Sequence, residues 1–380
     1  MVSNYAEALR LWHGKPYYSL NQYLQEHFGE KIYKIALDGG FTCPNRDGTL
    51  GNRGCIFCSA GGSGDFSGAR LSNPYRAEPD EARPPEGHVL RDARMGNPYR
   101  AEIFPDIHLQ LEAGKNLLSE KYTGRRFIAY FQAFTNTYAP VEHLEKIYMS
   151  ALSHPETAVL SIATRPDCLS PDIIGLLKRL NNIKPVWIEL GLQTIHEDTA
   201  RFIRRGYSLD VFTDALCRLK EAGIDTIVHT ILGLPGESED DILETHRFLA
   251  QQPIQGIKLQ LLHVLRGTDL DTLYHRHPFH ILTLEEYTDL IIRCIEILPP
   301  EMVIHRITGD GPKNLLTAPL WSGQKKQVLN TIHHTFKTRA TWDGYTRPFR
   351  TLAAGQERNI YDCRSIHFIQ INDSLYFECL

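Results

Sequence analysis

The sequence predicts an α/β protein assembled from parallel strand–helix–strand units, and two observations carry that expectation. Strand-like apolar runs recur down the chain at residues 32–37, 126–131, 158–163, 186–190, 226–231 and 256–262. Helical patterns lie between them, at 141–152, 171–180, 210–222 and 238–250. Alternation sustained this long is the mark of βαβ units. Six such strands close into a full or partial barrel, with chemistry at the C-terminal ends of the strands. A doubly wound open sheet is the competing architecture, and periodicity alone does not separate the two.

Taken in order, residues 5–28 read as one or two short helices, with Leu9, Leu11, Tyr18, Leu20, Tyr23 and Leu24 as apolar points. The first strand, 32–37, runs directly into Gly39 and Gly40, and a group of cysteines follows. Residues 70–105 break the pattern: they are rich in Pro, Arg, Glu and Asp and show no periodic apolar signal. The hexamer Asn-Pro-Tyr-Arg-Ala-Glu occurs there twice, at 73–78 and 97–102. That spacing is too short and too polar for a solenoid unit, so the segment reads as an inserted, disordered surface loop. Past residue 263 the alternation weakens. Residues 284–298 and 324–336 read as amphipathic helices, and 366–371 with 374–378 as a hairpin around Asn372 and Asp373. The expected organisation is an N-terminal helical extension (1–30), a core (31–265), an α-rich extension (266–344) and a tail (345–380).

Composition narrows the function. With 42% hydrophobic and 23% charged residues, the 380-residue chain is ordinary for a soluble globular protein with a sizeable core. A formal net charge of −4 does not indicate a globally basic nucleic-acid binder. Residues 1–15 lack the apolar core of a secretory signal, and no run reaches the roughly 18 apolar residues of a membrane helix. The expected location is the cytoplasm, with no membrane partner. There the eight cysteines stay reduced, to be read as ligands or as buried small hydrophobes.

Cys43, Cys55 and Cys58 form the pattern Cys-x11-Cys-x2-Cys, on a segment made pliable by Gly48, Gly51 and Gly54. Thiolates are the ligands of iron–sulfur clusters, and three is the informative count. A structural zinc closes its tetrahedron with four ligands, yet the next cysteine is Cys168 and the nearest downstream histidine is His88. A [4Fe–4S] cluster held by three thiolates keeps one iron open to a small molecule. A zinc with a distant fourth ligand and a redox Cys-x-x-Cys pair are the alternatives.

Residues 40–58, reading Gly-Phe-Thr-Cys-Pro-Asn-Arg-Asp-Gly-Thr-Leu-Gly-Asn-Arg-Gly-Cys-Ile-Phe-Cys, closely resemble the cluster loop of the radical S-adenosylmethionine (SAM) proteins of the YhcC/YtqA-like group. That group is related to the elongator catalytic subunit and to oxygen-independent coproporphyrinogen oxidase. Matching segments follow at 163–169 (Ala-Thr-Arg-Pro-Asp-Cys-Leu), 189–194 (Glu-Leu-Gly-Leu-Gln-Thr), 205–207 (Arg-Gly-Tyr), 229–236 (His-Thr-Ile-Leu-Gly-Leu-Pro-Gly) and 308–312 (Thr-Gly-Asp-Gly-Pro).

The resemblance implies a partial (β/α)6 TIM-like barrel of the radical SAM type. It implies a [4Fe–4S] cluster on Cys43, Cys55 and Cys58, S-adenosyl-L-methionine at the open iron, and a 5′-deoxyadenosyl radical that abstracts hydrogen from substrate. A flavodoxin- or ferredoxin-like protein is the expected electron donor. For the cofactor, Phe57 is expected near the adenine. Glu189 and Gln193 are expected at the end of the fourth strand, against the ribose or methionine part, with Arg205 on the carboxylate. Gly233 lets backbone approach the adenine, and Gln132 and Thr164 close the second and third strands. The group's usual ending of the second strand, two glycines and a glutamate, is replaced by Phe131-Gln-Ala-Phe134. Cys168 reads as an incidental or buried cysteine, Cys217 and Cys294 as core.

Residues 313–350 carry seven Lys and Arg against one acidic residue, Asp343, with Trp321, Trp342 and Tyr345 interleaved. A solvated helix face is the ordinary reading of such a stretch, and contact with RNA phosphates and bases the functional one; the expected substrate is RNA, tRNA in particular. A small molecule such as a porphyrin-like metabolite is the alternative within the same chemistry. A non-catalytic iron–sulfur protein and a zinc RNA-binding protein are the alternatives outside it.

Overall fold

Seven of the strands in the computed structural model run parallel in a single sheet. The structure describes residues 5–62, 106–118, 124–309, 311–345, 369–371 and 374–376; the inserted segment 70–105 lies outside them. The strands are β1 (Tyr33–Leu37), β2 (Phe127–Phe131), β3 (Thr157–Thr164), β4 (Val186–Gln193), β5 (Asp225–Leu232), β6 (Gly256–Leu261), β7 (Val264–Leu265), β8 (Val303–Arg306) and β9 (Leu316–Ala318). The sheet order is β1-β2-β3-β4-β5-β6-β8, and the order never reverses. Every crossover therefore runs the same way, which sends the helices to one face and lets the sheet curl into a half-barrel. A doubly wound sheet would reverse its order at a switch point, so the barrel-type alternative is the one realised.

Within this sheet the strand that periodicity did not reveal is β8; the short β7 and β9, paired outside it, were not revealed either. It pairs with β6 through Gly256↔Val303 and Ile257↔Ile304. Four residues give too short a run for alternation to register.

The helices are α1 (Tyr5–Leu11), α2 (Leu20–Phe28), α3 (Ile107–Leu118), α4 (Val141–Ser153), α5 (Pro171–Asn181), α6 (Glu197–Phe202), α7 (Leu209–Glu221), α8 (Glu239–Leu249), α9 (Asp269–Arg276), α10 (Leu284–Ile297) and α11 (Lys325–Arg339). Local chemistry starts several of them. Ser170 caps α5 ahead of Pro171. Ser238 with Asp241, and Thr283 with Glu286, form capping boxes on α8 and α10.

Strand side chains alternate between the two faces of the sheet. Leu37, Phe131, Ile162, Leu190, Leu232 and Leu261 point outward and join Tyr148, Leu177, Leu216 and Ile291 of the surrounding helices in the main core. The concave face holds a smaller cluster, with Ile128, Tyr130, Trp187 and Ile227 packed on Leu24 of α2. Near the C-terminus Ile369–Ile371 (β10) pairs antiparallel with Ser374–Tyr376 (β11). Among the described residues no helix is long and apolar enough to cross a membrane.

Candidate active site

The loop that leaves β1 carries all three cysteines across the C-terminal edge of the sheet. Its local shape is fixed by its own backbone: the amides of Arg46 and Asp47 donate to the Cys43 carbonyl at 2.8 and 3.2 Å, and the Cys58 amide to the Cys55 carbonyl at 3.0 Å. Gly48 and Gly54, at φ +93° and +74°, take turns that L side chains disfavour. Arg46 reaches back to the carbonyls of Cys58 (2.9 Å) and Ser59 (2.5 Å).

A second loop, after α6, braces the first. The Asn45 amide donates to the Arg204 carbonyl at 2.8 Å and lies 3.5 Å from the Cys55 sulfur. The Cys55 thiol faces the Arg204 carbonyl at 3.6 Å. Arg165, at the end of β3, donates to the Arg205 carbonyl at 2.9 Å and forks onto Asp167 at 2.9 and 2.7 Å. Burial, and then the neighbouring Cys58, push the Cys55 thiol up to about 11, with Cys43 adding to the effect and Arg165 opposing it. The thiols thus sense one another. Their sulfurs do not all lie within 4.8 Å of each other, because among the described residues only His196, Asp241 and Glu244 form a group of three that tight. The His196 group is partly exposed and already engaged: His196 Nε2 contacts the Asp241 carbonyl at 2.9 Å, and Asp241 caps α8.

Several other residues singled out in the sequence gather on the same edge. Phe57 packs with Ile56, Ile203, Leu234 and Leu262. Gln132 follows β2 directly, its amide donating to the Leu37 carbonyl at 3.3 Å. Thr164 ends β3, buried, its hydroxyl bonded to that of Thr137. Gln193 ends β4 at φ +66°, a strained setting for a residue with a side chain, and the Tyr207 hydroxyl donates to its side-chain oxygen at 3.4 Å. Gly233 follows β5 at φ +87°, where a Cβ would come 3.0 Å from Leu282.

Two residues sit differently. Glu189 does not end its strand: it pairs with Ala163 and Ile227 in mid-sheet, 1% exposed. Its carboxylate is taken up by Lys34 (2.6 Å), His229 (2.8 Å), Ser161 (2.7 Å) and Lys258. Arg205 is also 1% exposed. It donates to Glu197 (3.0 Å) and to the carbonyls of Thr194 (2.7 Å), Leu192 (3.3 Å) and Tyr207 (2.9 Å). These contacts join the end of β4 to the bracing loop. Asn45, Arg46, Arg165 and the lysines around Glu189 were not singled out by sequence. A charged residue inside an apolar strand run, as in Gly256–Leu261, was the available signal for Lys258.

A curled parallel sheet of this order, with three cysteines on the loop after its first strand, defines the class of SAM-dependent radical enzymes. The chain belongs to that class: residues 48–249 match the Radical SAM superfamily and residues 254–338 the Radical SAM C-terminal domain. More narrowly, it is 42% identical to the uncharacterized protein YtqA of Bacillus subtilis, over 87% of this chain and 92% of that one. It is 32% identical to the protein YhcC of Escherichia coli, over 78% and 85%. A tRNA uridine(34) acetyltransferase of Dehalococcoides mccartyi is 28% identical over 46% of this chain and 39% of its own length. The solved structure of the archaeal Methanocaldococcus infernus Elp3 shares the fold, with a TM-score of 0.54 at 20% identity over 63% of this chain and 60% of that one. Radical SAM proteins in general use a [4Fe–4S] cluster and SAM.

Proposed function

We propose that Cys43, Cys55 and Cys58 hold a [4Fe–4S] cluster, and that the enzyme generates a radical from SAM in order to modify RNA. The observation that carries the reading is the three-thiol loop laid over the C-terminal edge of the half-barrel and braced there by Asn45 and the Arg204–Arg205 carbonyls. When bound, the cluster and SAM supply a 5′-deoxyadenosyl radical, using an electron from a flavodoxin- or ferredoxin-like donor. The protein's own groups do the placing. The Asn45 amide donates toward the Cys55 sulfur, a contact of the kind that tunes cluster potentials. Phe57 and the apolar residues around it form a water-poor wall. Gln193, Gly233, Gln132 and Thr164 present polar and backbone groups at the strand ends, where SAM would lie. Arg205 acts as a positioning residue that locks the β4 end to the cysteine loop.

The RNA reading is supported by the named activity of the acetyltransferase relative and by α11, which exposes Lys325, Lys326 and Lys337. On this reading the protein works in the cytoplasm, where its thiols stay reduced, and residues 31–265 form the catalytic core with 266–344 as an extension to it.

Anaerobic reconstitution tests the proposal. The wild type is expected to bind about four irons per chain and to release 5′-deoxyadenosine from SAM under reduction. Cys55→Ser is expected to lose both. Zinc with no labile sulfide, or a loaded cluster that never yields 5′-deoxyadenosine, would refute it. Mass spectrometry of tRNA nucleosides from cells with and without the protein tests the substrate: an unchanged nucleoside profile sinks the RNA reading.

A further inference from the structure

The concave face of the half-barrel carries an unbalanced set of charges. Three cations meet there, Lys34 on β1, Lys258 on β6 and Arg306 at the end of β8. Among the described residues Glu189 is the one carboxylate in contact with them. Lys258 is 3% exposed and also donates to the Tyr130 hydroxyl at 3.0 Å. Arg306 aligns with Lys258 across the sheet and acts electrostatically on Lys34, Lys258 and His229. It has no carboxylate partner among the described residues.

Three basic groups against one carboxylate, held away from bulk water, repel one another when charged, and burying an unmatched cation is costly. Burial depresses the basicity of both Lys34 and Lys258, with Glu189 opposing the effect and Arg306 adding to it. A protein gains nothing in stability from such an arrangement unless something else supplies the missing negative charge. The set is also reachable: the side chains of Lys34 and His229 keep 20% and 16% of their surface, and Arg306 and Gln260 are half-buried.

Its position relative to the cysteines follows from strand geometry. Inward residues alternate along β5 as His229 and Ile231, and along β6 as Lys258 and Gln260, with Leu262 next. The Gln260 amide lies 3.5 Å from His229 Nδ1, which places both on the concave side. Ile231 and Leu262 belong to the apolar cluster around Phe57, the neighbour of Cys58. At about 3.3 Å per residue, the cationic set lies about 7–13 Å along the strands below that level.

We propose that this cationic floor of the half-barrel receives an anionic oxygen group, a phosphate or a carboxylate, of the molecule that the radical attacks. The proposal rests on the radical SAM reading only for its purpose, since anion binding needs no cluster. Lys34 and Lys258 supply charge from beneath, Arg306 a planar fork that matches two oxygens, and Gln260 a neutral donor. Glu189 acts as a positioning residue that holds the two lysines.

The test is calorimetric titration of the full chain, without and then with its cluster, using inorganic phosphate in one arm and acetate in the other. At least one probe is expected to bind saturably, and the stronger of the two identifies the group. Arg306→Gln should weaken that binding about tenfold. Gln260→Glu, which adds a carboxylate beside His229, should abolish it with the circular dichroism spectrum unchanged. SAM affinity of the loaded enzyme should be the same in both variants. Absence of saturable binding, equal binding in the variants, or a parallel loss of SAM affinity would each overturn the proposal. Failure of SAM cleavage with anion binding intact would sink the radical reading instead.

Discussion

Glu189 lies between Lys34, Lys258 and His229 with its carboxylate fully enclosed. Burial alone would raise its pKa, yet Lys258, Lys34 and His229 hold it well below the usual carboxylate range. Glu189→Gln leaves the cations without a counter-charge, and the expected loss is about 3–5 kcal/mol in urea denaturation at neutral pH. A loss under 1 kcal/mol would mean the lysines shed their protons at little cost. The histidines set the acid side. Burial lowers His229 and His246 to about 4, with Lys258 adding to the effect at His229. Both are neutral in the folded protein at pH 7, whereas an unfolded histidine titrates near 6.5. The unfolded state therefore binds more protons as pH falls from about 6.5 to about 4. Stability is full above that window and declines through it, by roughly 2 kcal/mol per histidine at pH 5. His229→Gln should flatten the decline, as read from denaturation midpoints across the range.

Loops and strand ends decide whether the cysteines are held for use. Gly206 sits at φ +85° in the bracing loop, where a Cβ would stand 2.8 Å from Asn45 Oδ1 and 3.2 Å from the Arg165 guanidinium. Gly206→Ala is thus expected to displace the side chain nearest the Cys55 sulfur. The outcome should be lower iron content after reconstitution, by about half or more, with an unaltered far-ultraviolet spectrum, because the strain of such a change is of the order of 1–3 kcal/mol and local. Normal iron loading would show that Asn45 is dispensable. At this scale much was legible. The bounds of α4, α5, α7, α8 and α10 fall within about two residues of the apolar periodicity, since Ser, Thr and Pro mark their starts. β8 was not, being only four residues long, and the mid-strand position of Glu189 was hidden because β4 runs on through Gly191 to Gln193.

Residues 16–18, ahead of α2, close on Asp343, which follows α11. The Tyr18 amide donates to Asp343 at 3.0 Å, the Asp343 amide to the Pro16 carbonyl at 3.0 Å, and the Ile304 amide to the Tyr18 carbonyl at 2.8 Å. The segment before α2 thereby ties β8 to the residues that follow α11. Burial pushes the Asp343 carboxyl well above its ordinary range, so its native form gives up stability as pH rises above the unfolded value near 4. Asp343→Asn keeps an acceptor for Tyr18 without the charge. It should gain about 1 kcal/mol at pH 7, whereas Asp343→Leu, which lacks the acceptor, should lose stability. Equal stability of all three proteins would show that the tie carries no weight.

By itself the sequence determined the repeating strand–helix order, the ends of α4, α5, α7, α8 and α10 and the grouping of three thiols, because each depends on residues close together in the chain. Only the tertiary structure decided which way the sheet curls and what its hollow contains. Lys34 and Glu189 are 155 residues apart, Glu189 and Lys258 another 69. No local pattern reports that three strands turn those side chains toward one point. Side-chain direction alternates within a strand, but which interior residues meet across strands depends on register and curvature, and these are settled by packing of the whole chain.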